Sequence, residues 1–550
     1  MKYLVISAIF SIAFLFCRGQ QTIDTQDIHA ASKIISMDFT TSEADSMLGT
    51  LQSRARVYHK MHQYNLANAT PLTLTFSPLL PDMKQDNRQR DVKFHLPTTQ
   101  MPANRSELAF YSIPQLASLI KSRKISSVAL TKFFINRLKK FGDTLHCVIS
   151  ITEDIAMKEA AEADKEIAAG KYRGLLHGIP YGLKDLFAVK GTKTTWGAAP
   201  YKDQILDADS YVYTKLREAG AVLVAKLSTG ALAMGDYWYG GRTRNPWNLQ
   251  TGSSGSSAGP ASATVAGLVP FAIGTETYGS IISPSVVCGA TGLRPTFGAI
   301  SRSGAMTLSW SLDKAGPLCR SAEDAAVVFY YLHGTDGLDA SAIQMPFNYK
   351  EQIDLSKLRI GYAVNYFPKK DTTGNEYKVL EVLRSKGAHL IPMNFPDSGI
   401  YNIDMIGLVI GSEASAAFDA FTRTGLDDLM TNQGKGEWPN YFRASRFIPA
   451  AEYVNVNRHR YILMQKVNAV LRDYDVIICP SWGGNQLAIT NLTGHPAVAL
   501  PNGFNKAGMP TSITFVGNLY DEATLLAVAK AYQDATEWNK KHPEMFMSEK

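Results

Sequence analysis

Residues 251–282 read TGSSGSSAGPASATVAGLVPFAIGTETYGSII, and this stretch constrains the fold more tightly than any other. Two turns of glycine and small hydroxyl residues, 251–259 and 275–280, bracket the apolar run 265–273. A flexible Gly/Ser linker does not lead directly into a buried segment and then into a second such turn. Two small-residue turns flanking one buried segment bring two loops to one place. Glycine there lets backbone N–H groups approach a ligand that a Cβ would keep away.

The regular part of the chain begins near Glu107. The patterns predict helices over 113–121, 126–141, 376–385 and 522–533. They also predict a helix ending at Glu218, capped by Ser210 and stopped by Gly220. Short β-branched runs at 221–225, 358–364, 389–393 and 476–479 read as strands. Helices alternating with such runs define an α/β fold, a mixed, twisted β-sheet covered by helices on both faces. Residues 106–550 are expected to form that single large domain, and 20–105 a mostly helical N-terminal extension and linker. Within the extension, Ser42 is expected to cap a helix with Asp45 reaching back, which puts Leu48, Leu51, Ala55, Tyr58 and His62 on one face. Residues 81–105 read as a connector wrapping the larger body.

The motifs, taken in order, resemble those of the amidase signature family. Gly255-Ser256-Ser257-Ala258-Gly259 and Gly274-Thr275-Glu276-Thr277-Tyr278-Gly279-Ser280-Ile281 match its serine-rich segment, with the Ser256–Ser280 spacing free of gaps. His177-Gly178-Ile179-Pro180-Tyr181-Gly182-Leu183-Lys184-Asp185 matches its lysine motif. Asn245-Pro246-Trp247, Gly292-Leu293-Arg294-Pro295-Thr296 and Gly316-Pro317 follow in the family's order. The resemblance runs from Glu107 to the end of the chain. It implies carboxamide cleavage, with Ser280 as nucleophile, Ser256 as bridging serine after a cis bond from Gly255, and Lys184 as base. It further implies an oxyanion hole from the backbone N–H groups of Thr277, Tyr278, Gly279 and Ser280, with Tyr278 and Ser257 touching substrate.

The chemistry asks for these residue types. A serine hydroxyl is a weak nucleophile until a neighbour takes its proton. A lysine can take it only when neutral, and near pH 7 that requires a pKa roughly three units below its free value of about 10.4. Burial supplies such a shift, and Lys184 lies between the apolar run 175–183 and Leu186-Phe187. An amide also needs its leaving nitrogen protonated, a task Ser256 can perform from the other side of the relay.

The chain departs from the family where Glu276 stands for Asp, Tyr278 for Gly, and Ala258 and Pro260 for Gly and Ser. Backbone donors survive these changes, so Tyr278 is expected to reshape the acyl pocket and leave the oxyanion hole intact. Other readings remain on the sequence. Ser257 formally fits GxSxG, and Ser311-Leu312-Asp313-Lys314 fits SxxK, each without its companion elements. Within the family, the chain could be the glutamine-hydrolysing subunit of a tRNA amidotransferase, or an impaired, amidase-like binding protein. Asp185, Arg294, Cys288 and His177 read as structural residues.

The remaining composition narrows partners. A net charge of +7 over 550 residues, with no long Lys/Arg run, argues against nucleic-acid binding. Histidines and cysteines lack metal-ligand spacing, so no metal or cofactor is expected. The expected partner is a small-molecule amide or amidated peptide, acted on by a monomer or homodimer. Residues 1–19 carry a positive start, an apolar run too short to span a bilayer and a small-residue site before Gln20. They read as a signal peptide, which places the protein in a secreted or periplasmic compartment. Lipidation of Cys17 is the lesser alternative there. Cys147, Cys288, Cys319 and Cys479 lie in apolar segments and read as buried free thiols.

Overall fold

The computed structural model describes residues 23–63, 66–369, 372–397 and 403–547. The expected signal peptide and Cys17 lie outside them. The chain divides into two units, 1–66 and 67–550.

In the smaller unit, helices Thr25–Ile34 and Thr41–His62 pack on each other. Asp24 caps the first through a capping box with Asp27. The second starts two residues before the expected point. Thr40 is its cap, and Glu43 returns to the Thr40 N–H at 2.7 Å. Thr40 supplies the extended backbone a cap needs, whereas Ser42 is already inside the first turn and its carbonyl accepts from Ser46 Oγ. Leu48, Leu51 and Ala55 are half-buried, and Tyr58 and His62 are exposed.

The larger unit is built on an eleven-stranded mixed sheet. Its order is Val148–Ile151, Val222–Leu227, Pro180–Lys184, Ala272–Glu276, Lys314–Cys319, Thr291–Arg294, Ala497–Phe504, Pro510–Gly517, Val476–Pro480, Ile360–Ala363, Leu390–Met393. Strand Pro180–Lys184 runs parallel to both its neighbours, and the strands from Ala272–Glu276 to Val476–Pro480 pair antiparallel in succession. Side chains alternate between two covered faces. Leu223 packs into one apolar cluster and Val222 and Val224 into another, and Ile478 and Ile477 divide in the same way. This two-sided burial is why the strands read as continuous apolar runs.

Local signals placed the helices well. Ser112 caps Ile113–Lys121, with Gln115 completing the box and a proline in the first turn. Ser210 caps Tyr211–Glu218, and Gly220 follows in the left-handed region at φ 81°. Helix Ser127–Leu145 runs four residues past the expected Phe141. Residues 67–104 carry no helix or strand and are tied down by side chains. Asn68 exchanges two hydrogen bonds with the Thr307 backbone, both 2.8 Å, and Arg90 N donates to Asn348 Oδ1 at 2.7 Å. Among the described residues, no helix is long and apolar enough to cross a membrane.

Candidate active site

Lys184 ends the buried strand Pro180–Lys184, beside strand Ala272–Glu276. Ser256 lies in the loop between strand Asn248–Gly252 and helix Ala258–Val265, after a cis Gly255–Ser256 bond. Gly255 is required here, because a Cβ would collide with the Gly235 carbonyl. Ser280 follows strand Ala272–Glu276 at the start of helix Ile282–Cys288. Two neighbouring strands and one loop thus bring the three expected residues together.

Lys184 Nζ lies 2.8 Å from Ser256 Oγ, 2.8 Å from Thr275 Oγ1 and 3.2 Å from Ser257 Oγ. Both Lys184 and Ser256 are fully buried. Burial holds the Lys184 pKa well below the ordinary lysine value, against the smaller opposing pull of Asp313 and Glu276. The surroundings suit a neutral amine, which has two N–H donors and one lone pair. The donors can go to Thr275 Oγ1 and Ser257 Oγ, which leaves the lone pair for the Ser256 hydroxyl. Ser257 Oγ can accept because its own proton goes to the Thr275 carbonyl at 3.0 Å.

Ser280 is 7% exposed and lines a cavity of about 710 Å³ with Thr277 and Tyr278. Its hydroxyl makes no hydrogen bond to Ser256 among the described residues; the two loops meet through backbone, with Ser257 N, next along from Ser256, donating to Ser280 O at 3.0 Å. Among the described residues, no group accepts from the backbone N–H of Thr277, Tyr278, Gly279 or Ser280. Gly279 sits at φ 83°, which turns the loop so that successive N–H groups stay unpaired.

The structure corrects one expectation. Ser257 does not reach the cavity; it is fully buried, with its hydroxyl engaged by Thr275 and Lys184. It clasps the two serine loops together. Tyr278 does line the cavity, half-buried beside Ser280. The SxxK reading dissolves as well, since Ser311 Oγ pairs with Glu413 and Arg460 while Lys314 Nζ donates to Asn491 Oδ1 at 2.7 Å.

Three supporting residues escaped the sequence reading as parts of the site. Thr275 faces Lys184. Asp313 accepts from Thr277 Oγ1 at 2.5 Å and from the N–H groups of Leu308 and Ser309, so it fixes the first residue of the donor loop. Glu276 is fully buried and accepts from the N–H groups of Ile281 and Ile282, both at 2.9 Å, which pins the turn carrying Ser280. Its other oxygen meets Arg294 at 3.0 Å and Asn491 at 2.9 Å. Burial pushes the Glu276 carboxyl up, and Arg294, Lys314 and the N–H donors bring it below the usual glutamate range. Glu276 stood out in the sequence only as a substitution for aspartate. Asp185 is structural as read, paired with the buried Lys226 at 2.8 Å and accepting from Thr195 N at 2.7 Å.

The profile of the amidase family matches residues 129–489. A glutamyl-tRNA(Gln) amidotransferase subunit of Coxiella burnetii (strain Dugway 5J108-111) is 32% identical over 485 residues, 79% of this chain and 99% of that one. The native peptide amidase of Stenotrophomonas maltophilia superposes with a TM-score of 0.71 at 26% identity, covering 78% of this chain and 98% of that one. An amidase family protein of Bacillus anthracis str. Ames gives 0.71 at 25% identity, over 80% and 94%. The chain belongs to the amidase family, and with that family and a peptide amidase among its structural neighbours it is a hydrolase of carbon–nitrogen bonds in amides.

Proposed function

We propose that this protein hydrolyses a carboxamide through an acyl-enzyme on Ser280. The observation that carries the reading is the buried Lys184–Ser256 hydrogen bond beside a serine that opens into a cavity under four unpaired N–H groups. Neutral Lys184 draws the Ser256 proton, and Ser256 takes that of Ser280 once the Ser280 hydroxyl turns toward it. The freed oxygen adds to the amide carbon. The developing oxyanion is met by the N–H groups of residues 277–280, where each well-aimed donor is worth about 3 kcal/mol. Ser256 then gives its proton to the leaving nitrogen while taking one back from Lys184, the C–N bond breaks, and Lys184 is neutral again. Water repeats the sequence on the acyl ester and frees the acid. Lys184, Ser256 and Ser280 are the proposed catalytic residues, and no step calls on a metal.

A fluorophosphonate probe tests the assignment, because it forms a covalent adduct with an activated serine and leaves ordinary serines alone. The expected result is one adduct, on Ser280, lost in Lys184→Ala. Labelling elsewhere, or unchanged labelling in that variant, would reject it. The relatives named as amidotransferase subunits favour a second reading, in which glutamine is the amide cleaved and ammonia passes to a partner subunit. The leader-like residues 1–19 support export to a secreted or periplasmic site, tested by N-terminal sequencing of the mature protein.

A further inference from the structure

The cavity in front of Ser280 is walled on its far side by two helices, Ile403–Ala417 and Trp438–Ser445. Ile410 and Trp438 face it from them, Ile448 from just beyond the second, and Leu308 and Tyr278 from the sheet side. No Lys, Arg or His lines it among the described residues, and Asp404 is its one carboxylate. Its volume of about 710 Å³ is in the range that encloses a mid-sized organic ligand. Free glutamine carries an α-carboxylate, which this wall gives no cation to meet, and burying an unpaired charge is costly. An apolar chain, by contrast, gains at every carbon it buries.

We propose that the site takes amides with an apolar alkyl or aryl acyl group, and that Ile410, Trp438 and Ile448 select it. The proposal rests on the acyl-enzyme reading, because an acyl group bonded to Ser280 must occupy this cavity. The two wall helices are held together where Tyr441 Oη donates to the Gly407 carbonyl at 2.8 Å. Gly407 lines the same space, and a Cβ there would meet only Tyr441 Oη, at an ordinary contact of 3.7 Å. Gly407 therefore leaves room that substrate can fill and a larger side chain can take away.

The test has two arms. In the first, kcat/KM is measured on p-nitroanilides with straight acyl chains from acetyl to decanoyl, and on L-glutamine. The expected result is a rise of about fourfold per methylene until the cavity is full, with glutamine turned over no better than acetamide. Gly407→Leu is expected to cut the decanoyl-to-acetyl ratio at least tenfold, with its melting temperature confirming the fold. In the second arm, n-alkanamides are titrated calorimetrically into Ser280→Ala, where binding is read without turnover. Affinity rising with chain length, and losing that rise on adding Gly407→Leu, supports the assignment even if the wild type hydrolyses none of them, a result that would remove only the acyl-enzyme reading. Binding independent of chain length, or a preference for glutamine, overturns the assignment and leaves Ser280 labelling to judge the chemistry separately.

Discussion

The Lys184 amine and the Ser256 hydroxyl lie 2.8 Å apart, both sealed from solvent. An ammonium there would lack its hydration shell, and Asp313 and Glu276 offset only part of that loss. The folded protein therefore favours the uncharged amine at a pH where a free lysine is charged.

Activity should follow that proton. Amide turnover is expected to rise with pH through the depressed Lys184 value and then level, as measured by kcat/KM on a neutral amide. Stability has the same sign. Between the folded and unfolded pKa values the unfolded chain binds a proton that the folded chain does not, so this group makes stability rise with pH in that window. Lys184→Met is expected to lower turnover on the order of 10⁴–10⁶-fold while raising the melting temperature at neutral pH. A variant less stable than wild type would count against a lysine held neutral by burial.

Glu276 gives a second test, because it joins the Ser280 turn to the buried Arg294. Glu276→Gln leaves Arg294 charged, buried and unpaired, at a cost of about 3–5 kcal/mol. Glu276→Asp keeps the charge and should lose less than half as much, as read from urea unfolding. The folded pKa of Glu276 is lowered, so its stabilisation is present above the ordinary glutamate range and is lost as pH falls through the folded value. The gap between wild type and Glu276→Gln should accordingly narrow in acid.

Tyr278 stands beside Ser280 with its ring in the cavity and its backbone N–H among the unpaired donors. Tyr278→Gly keeps that donor and removes the ring. The expected outcome is a changed acyl-chain preference, with acetamide turnover altered by less than about fivefold. Equal losses on every substrate would point to a disturbed donor loop instead.

The four cysteines described are buried free thiols. Burial raises each thiol pKa, that of Cys147 to about 12. Iodoacetamide at pH 8 should leave all four unmodified in the native protein and alkylate them in urea, with mass spectrometry counting the adducts.

The motifs holding Lys184, Ser256 and Ser280, the proposed reacting groups, were plain in the sequence, because runs of small residues stand out against the apolar segments around them. The sequence carried capped helices nearly as well, as at Ser112 and Ser210. Its misreadings share a cause. The Thr40–Glu43 box lost to Ser42–Asp45 because both pairs have capping chemistry and only backbone geometry separates them. The support around Ser280 was illegible because Glu276, Arg294, Lys314 and Asn491 are far apart in the chain and meet only after strands 272–276, 291–294 and 314–319 pair. The cavity wall was missed for a related reason. Helix Ile403–Ala417 is apolar around much of its circumference, and such a pattern does not say which side meets protein and which meets a ligand.

The separation of that wall from the sheet has a practical consequence. The proposed reacting groups, Lys184, Ser256 and Ser280, sit at the end of one central strand and in the two loops packed beside it. The far wall comes from two helices between residues 403 and 448, which share no strand with them. Repertoire and reactivity can therefore diverge at different speeds. Exchanging side chains along those helices should yield enzymes with new tastes in amides and an unaltered engine.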